Sequence, residues 1–192
     1  MKEMTLYSIR ENALKSGRMV YSTQQLANLI RKPKTIAKVY ANRLVKKTLA
    51  KQLIRGKISF TDDDFVISCQ MVEPSYISLE SALLFHNIVQ QVPKEMTCVT
   101  TKNSLKYPEL GIKYHKISSS LFFGYSKFKK DNSYVYVADP EKALIDGVYL
   151  NIFSKKNYVE FKEKLDKNKI EKYLLKLKCR GKNKIKKVFK ND

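Results

Sequence analysis

Tryptophan is absent from this chain of 192 residues, and histidine (2), cysteine (3), proline (5) and glycine (6) are scarce. Each shortage excludes something. Two histidines, His86 and His115, cannot assemble a histidine-rich metal site. Cys69, Cys98 and Cys179 are odd in number, far apart and in neither zinc nor redox spacing, so they read as reduced structural residues. No phosphate-cradling glycine loop, zinc-hydrolase spacing or nucleophile elbow occurs. No run approaches the ~18 apolar residues of a membrane span, and charges occupy the N-terminus where a signal peptide needs its apolar stretch. A cytoplasmic chain without a membrane segment is the expectation, and no metal, cofactor or catalytic residue is expected.

Acidic residues are short as well, with 18 Asp and Glu against 38 Lys and Arg, a formal net charge of +20. The excess is uneven: residues 1–60 carry +12, residues 61–150 carry −2 and residues 151–192 carry +10. Two basic ends flank a near-neutral centre richer in apolar and β-branched residues, which predicts two domains, 1–62 and 63–192, the second closing on a basic helical element. The 43% apolar content supplies a core. A polyanion is the natural partner of such a charge distribution, and nucleic acid leads among the polyanions.

The pattern of the first sixty residues is helix (Met4–Ser16), short extended piece (Met19–Tyr21), helix after the capping-box pair Ser22 and Gln25, break at Arg31-Lys32-Pro33, helix (about Lys34–Lys47), and a hairpin turning at Arg55-Gly56-Lys57. This order predicts a winged helix-turn-helix, in which the helix after the turn enters the major groove and the hairpin is the wing. Residues of the third helix placed at about 100° intervals put Ile36, Ala37, Tyr40, Ala41 and Leu44 on an inward side. Thr35, Lys38, Asn42 and Lys46 fall opposite. With Lys34, and with Arg55 and Lys57 in the wing, these are the candidate DNA-binding residues. Lys can contact guanine O6 and N7, Asn can pair with adenine N6 and N7, and wing cations suit phosphate. Simple solvation of a charged face is the competing reading for any one lysine.

Asp62-Asp63-Asp64 reads as a connector, and Phe65–Met71 as a strand or extended linker. Ser78 is expected to cap a helix running to about Val89, and Asp139 to cap a second that starts at Pro140. Between them, Thr97–Thr101, Gly111–Ile117, Leu121–Tyr125 and Ser133–Ala138 read as strands of a small, mainly antiparallel sheet. Tyr158, Phe161, Leu165, Ile170, Tyr173, Leu174 and Leu177 stripe one or two C-terminal amphipathic helices, and Lys178–Lys190 reads as a frayed basic tail. The fold class is α+β. His86 reads as a partly buried structural residue and His115 as solvent-facing. Some metal-dependent nucleases aim an acid and a lysine from one strand at magnesium. Asp139, Glu141, Lys142 and Asp146 contain the residue types, but Glu141 and Lys142 are adjacent on a helix and diverge by about 100°, so capping and surface roles are expected.

Two segments carry a family pattern: Pro74-Ser75-Tyr76-Ile77-Ser78-Leu79-Glu80-Ser81-Ala82-Leu83 and, some fifty residues on, Val135-Tyr136-Val137-Ala138-Asp139-Pro140-Glu141-Lys142-Ala143-Leu144-Ile145-Asp146. Following a winged-helix pattern, they resemble the AbiEi-like antitoxins of phage-defence systems over roughly residues 20–150. The resemblance implies a non-enzymatic regulator whose first domain binds an inverted-repeat operator in double-stranded DNA and whose second counteracts a nucleotidyltransferase toxin, functionally or by direct contact. The DNA-reading face would fall on Thr35, Lys38, Asn42 and Lys46, with Arg55 and Lys57 in the wing. Two other classes stay open on the residues alone: a non-specific architectural DNA- or RNA-binding protein, and a metal-dependent nuclease.

Overall fold

The structure, a computed structural model, describes residues 4–189. The chain divides into two compact units, one running to Met71 and including Lys129–Val135, the other made of Val72–Phe128 and the chain from Tyr136 on. The first boundary therefore lies nine residues beyond the expected division at residue 62.

In the first unit, helix α1 (Leu6–Lys15) starts at Thr5, whose Oγ1 accepts the Ser8 amide at 3.1 Å, and buries Ile9 and Ala13. Strand β1 (Val20–Ser22) leads directly into α2 (Thr23–Ile30). The capping box forms as the sequence predicts: the Gln25 amide donates to Ser22 Oγ at 3.2 Å, and the Ser22 amide donates to Gln25 Oε1 at 2.8 Å. Arg31 ends α2 in the left-handed conformation, and α3 (Lys34–Lys46) begins after Pro33. Strands β2 (Lys51–Ile54) and β3 (Lys57–Ser59) form the hairpin, whose turn needs Gly56 because its φ is +83°. Both pair antiparallel in a three-stranded sheet of order β1-β3-β2.

The buried side of α3 is narrower than expected, consisting of Ala37, Ala41 and Leu44. Ile36 is 42% exposed and Tyr40 is half-buried. Phe65–Met71 is neither strand nor linker. It lies in α4 (Asp64–Met71), with Asp63 Oδ1 accepting the Val66 amide at 3.0 Å at its start. Val66 through Met71 are all buried, so no polar face marked a helical period. Gln70 satisfies itself inside this unit, accepting the Met19 amide at 2.8 Å and donating to Ser133 Oγ at 2.9 Å. Asp63 also pairs with Lys130 at 2.8 Å.

The second unit holds β4 (Ser75–Ile77), α5 (Leu79–Phe85), β5 (Met96–Thr100), β6 (Leu105–Tyr107), β7 (Ile112–Lys116), and strands β8 (Tyr125–Lys130) and β9 (Ser133–Ala138), whose connecting tip belongs to the first unit. The six strands follow the order β6-β7-β5-β4-β9-β8. The sheet is mixed: β4 with β5 and β6 with β7 run antiparallel, as expected, whereas β5 with β7 and β4 with β9 run parallel. The strand expected at Leu121–Tyr125 is displaced: Ser119–Leu121 is a 3-10 turn, Gly124 takes φ +73°, and extended pairing starts at Tyr125. Helix α5 stops at Phe85 rather than Val89, because Asn87 adopts φ +57° and the Ile88 amide donates back to the Leu83 carbonyl.

Helix α6 (Pro140–Tyr149) packs on α5, and α7 (Lys155–Phe161), α8 (Lys167–Lys176) and α9 (Lys182–Phe189) follow. The predicted C-terminal stripe is buried throughout, from Tyr158 to Leu177. The expected frayed tail is instead helical in α9, where Ile185 and Phe189 are buried; Lys190 lies outside the described residues. Among the described residues no helix is long and apolar enough to cross a membrane. Among the described residues no disulfide forms, and Cys69 and Cys98 are buried.

Candidate nucleic-acid interface

A groove of about 760 Å³ opens on the first unit between α3, the start of α2 and the β2–β3 hairpin. Lys34, Thr35, Lys38, Asn42 and Arg55 line it, together with Thr23, Gln24 and Gln52. The hairpin turn is pinned to the start of α2, since the Thr23 amide donates to the Gly56 carbonyl at 3.0 Å and Thr23 Oγ1 donates to the same oxygen at 3.2 Å. Gln52 Nε2 braces the other side by donating to the Lys57 carbonyl at 2.9 Å. The hairpin is thus fixed by hydrogen bonds to backbone carbonyls, which engage the side chains of Thr23 and Gln52. Among the described residues, Lys34, Thr35, Lys38, Asn42 and Arg55 make no side-chain hydrogen bond or ion pair within the protein. Free donors on two walls of a groove suit an anionic, edge-bearing ligand.

Two of the seven candidates lie elsewhere. Lys46 is exposed on α3 but lies one turn beyond the residues that line the groove. Lys57 turns inward: its amine donates to the Met71 carbonyl, the last residue of α4, which a local reading of the hairpin could not foresee. Thr23, Gln24 and Gln52 are groove residues outside the expected set; the Ser22–Gln25 capping box already marks the place of the first two at the start of α2, while Gln52 reaches the groove from β2. Val39 was missed too: it is 45% exposed on α3.

The second constellation, on α6, is buried rather than superficial. Lys142 and Asp146 are both fully buried and ion-paired one helical turn apart. Lys142 Nζ also donates to Tyr76 Oη at 2.7 Å, while the Tyr76 and Ser78 hydroxyls donate to Asp146 Oδ2 at 3.0 and 2.9 Å. Burial pushes the Lys142 ammonium below the usual lysine range against the opposing pull of Asp146, and burial followed by Asp146 pushes the Tyr76 phenol well up. Gly124 makes room for the lysine stem, since a Cβ there would sit 3.0 Å from Lys142 Cγ. The expected caps are therefore otherwise engaged. Ser78 serves Asp146, and Asp139 accepts the Tyr173 hydroxyl and the Lys169 amine at 3.0 Å without capping α6. Glu141 is buried, with Oε1 accepting the Asp166 amide at 2.9 Å. Among the described residues no three His, Cys, Asp or Glu side chains gather as a metal site.

His86 behaves as expected, its Nε2 lying 2.9 Å from the Ala138 carbonyl. His115 does not face solvent freely: its Nε2 is buried with no hydrogen-bond partner, and burial, then Lys113, holds its pKa below the ordinary histidine value. No family model matches the chain, and no curated protein matches it.

Proposed function

We propose that the protein is a sequence-specific, double-stranded-DNA-binding transcriptional regulator whose first unit is a winged helix-turn-helix. The single observation that carries this reading is the groove in which Lys34, Thr35, Lys38, Asn42 and Arg55 converge, unpaired within the protein, from α3 and from the hairpin. In this reading α3 is the recognition helix, Asn42 pairs with an adenine edge, and Arg55 in the wing holds phosphate. The order of helices and the antiparallel hairpin support it, as does the +12 carried by residues 1–60.

The second unit carries the antitoxin activity of an AbiE-type system in the same proposal. What supports this is the convergence of the two sequence segments: Tyr76 and Ser78 from one meet Lys142 and Asp146 from the other in one buried network. That burial favours a scaffolding role for these residues over hydrolytic chemistry on a nucleic acid.

Fluorescence anisotropy on duplexes recovered by selection from a random library tests the DNA assignment. Arg55→Ala should weaken all duplexes alike and reduce the salt slope by about one unit, the share of one phosphate contact. Asn42→Ala should lose about 1–3 kcal/mol of discrimination at one base pair. Equal affinity for every sequence would replace this reading by a non-specific architectural one. Rescue of growth when the protein is co-expressed with an AbiE-type nucleotidyltransferase toxin tests the antitoxin assignment.

A further inference from the structure

Helix α3 presents an outward stripe that is not wholly polar. Thr35, Val39, Asn42 and Lys46 stand at i, i+4, i+7 and i+11, opposite the buried Ala37, Ala41 and Leu44. Val39 lies at the centre of that stripe and is 45% exposed. Its neighbours on the stripe, Thr35 and Asn42, both line the groove. A β-branched side chain in a helix holds essentially one rotamer, so its methyl groups are presented in a fixed direction without further ordering on binding. The exposed apolar area on this helix is two side chains, Val39 and, three residues before it, Ile36 at 42% exposed, well below the several hundred Å² of a protein-docking patch. In the major groove the one apolar group displayed on a base edge is the C5 methyl of thymine.

We infer that Val39 reads a thymine methyl within about two base-pair steps of the adenine paired by Asn42, making it a specificity-determining residue of the same interface. The inference rests on the DNA-binding reading above. The spacing follows from the helix, because residues three apart on one face have Cβ atoms about 5–6 Å apart, and base pairs rise about 3.4 Å. Val39 thereby adds a preference for T over C and over unmethylated pyrimidine at a position where hydrogen bonds alone would not distinguish thymine from uracil.

The test uses the full chain and its selected operator, with each thymine near the Asn42-sensitive base pair replaced in turn by deoxyuridine, which removes only the methyl. For the unaltered protein one such replacement should weaken binding about fourfold, the value of one buried methyl-sized group. Val39→Ala should weaken the thymine operator by a similar factor and abolish the deoxyuridine effect, while Val39→Ile, which keeps the branched methyl, should retain it. A flat deoxyuridine scan beside an intact position-specific loss for Asn42→Ala overturns the Val39 assignment alone. The same holds if Val39→Ala keeps the full deoxyuridine penalty. If selection enriches no sequence at all, the base-reading interface itself fails and the Val39 assignment falls with it.

Discussion

Replacing Asp146 by Asn removes the carboxylate that faces the fully buried ammonium of Lys142. The charge then has two outcomes, to stay buried unpaired or to leave as a proton. Burial already lowers the Lys142 pKa, and the rings of Phe123 and Tyr76, 5.3 and 5.4 Å from Nζ, do not replace a counter-ion. A neutral amine can still donate to Tyr76, so proton loss is the cheaper outcome. Its cost is set by the unfolded chain, where lysine titrates near 10.4: about 4–5 kcal/mol at pH 7 and about 2 kcal/mol at pH 9. The sign follows directly. The unfolded variant holds a proton that the folded variant has lost, so stability rises with pH until the unfolded lysine titrates. Urea unfolding followed by circular dichroism at the two pH values reads the difference. With a slope of ~1–3 kcal/mol per molar urea, the variant's midpoint relative to the parent should recover by roughly 1–3 M at pH 9. Lys142→Met should cost about 3–5 kcal/mol, and the double variant Lys142→Met with Asp146→Asn should cost less than either single one, because no lone charge is left. Equal losses at pH 7 and 9 for Asp146→Asn, together with additive losses in the double variant, would refute the reasoning.

A Cβ on Gly147 would sit 2.1 Å from Cδ2 of the buried Phe153, so Gly147→Ala should cost at least about 1–3 kcal/mol in the same unfolding assay; a neutral result would show that Phe153 moves freely. The lowered pKa of His115 means that the unfolded chain takes up a proton first, so the parent should lose stability relative to His115→Gln as pH falls through about 6.5, whereas parallel stability profiles would contradict it. Deleting residues 178–192 removes buried Ile185 and Phe189, the latter stacked edge-on to Tyr158 at 4.9 Å, and should lower stability by about 3–6 kcal/mol; an unchanged urea midpoint would return α9 to the role of a dispensable tail.

Where local chemistry decides conformation, the sequence was enough. Ser22 with Gln25, Pro33 and Arg55-Gly56 each act within a few residues, and the elements they delimit, α2, α3 and the hairpin, lie where the pattern puts them. Helix α4 shows the opposite limit. Burial on all sides erased its period, and the β-branched pair Val66-Ile67 imitated a strand. The caps expected of Ser78 and Asp139 failed for another reason. Both have the right residue type at the right place, but Asp146 and Tyr173, distant in sequence, offer each oxygen a stronger or more deeply buried partner.

The same division separates the two constellations of side chains. In the groove, exposure and charge can be read from one helix wheel and one hairpin turn, so four candidates from α3 and Arg55 from the turn converge there, and the one that turns inward, Lys57, is captured by a carbonyl fourteen residues away. On α6 the adjacent pair Glu141 and Lys142 offers an acid and a lysine, yet adjacency is the wrong spacing on a helix. The pair that interacts is Lys142 and Asp146, four apart, the spacing that brings side chains onto one face. That spacing alone normally marks a solvated surface pair of small value. Here two hydroxyls from the other segment, Tyr76 and Ser78, complete the hydrogen bonding that lets both charges leave water. An i, i+4 Lys–Asp pair on a helix buried from Glu141 to Val148, with a Tyr-x-Ser at the end of a distant buried strand, therefore has a physical reading as a buried polar lock, and it accounts for these residue types without invoking catalysis.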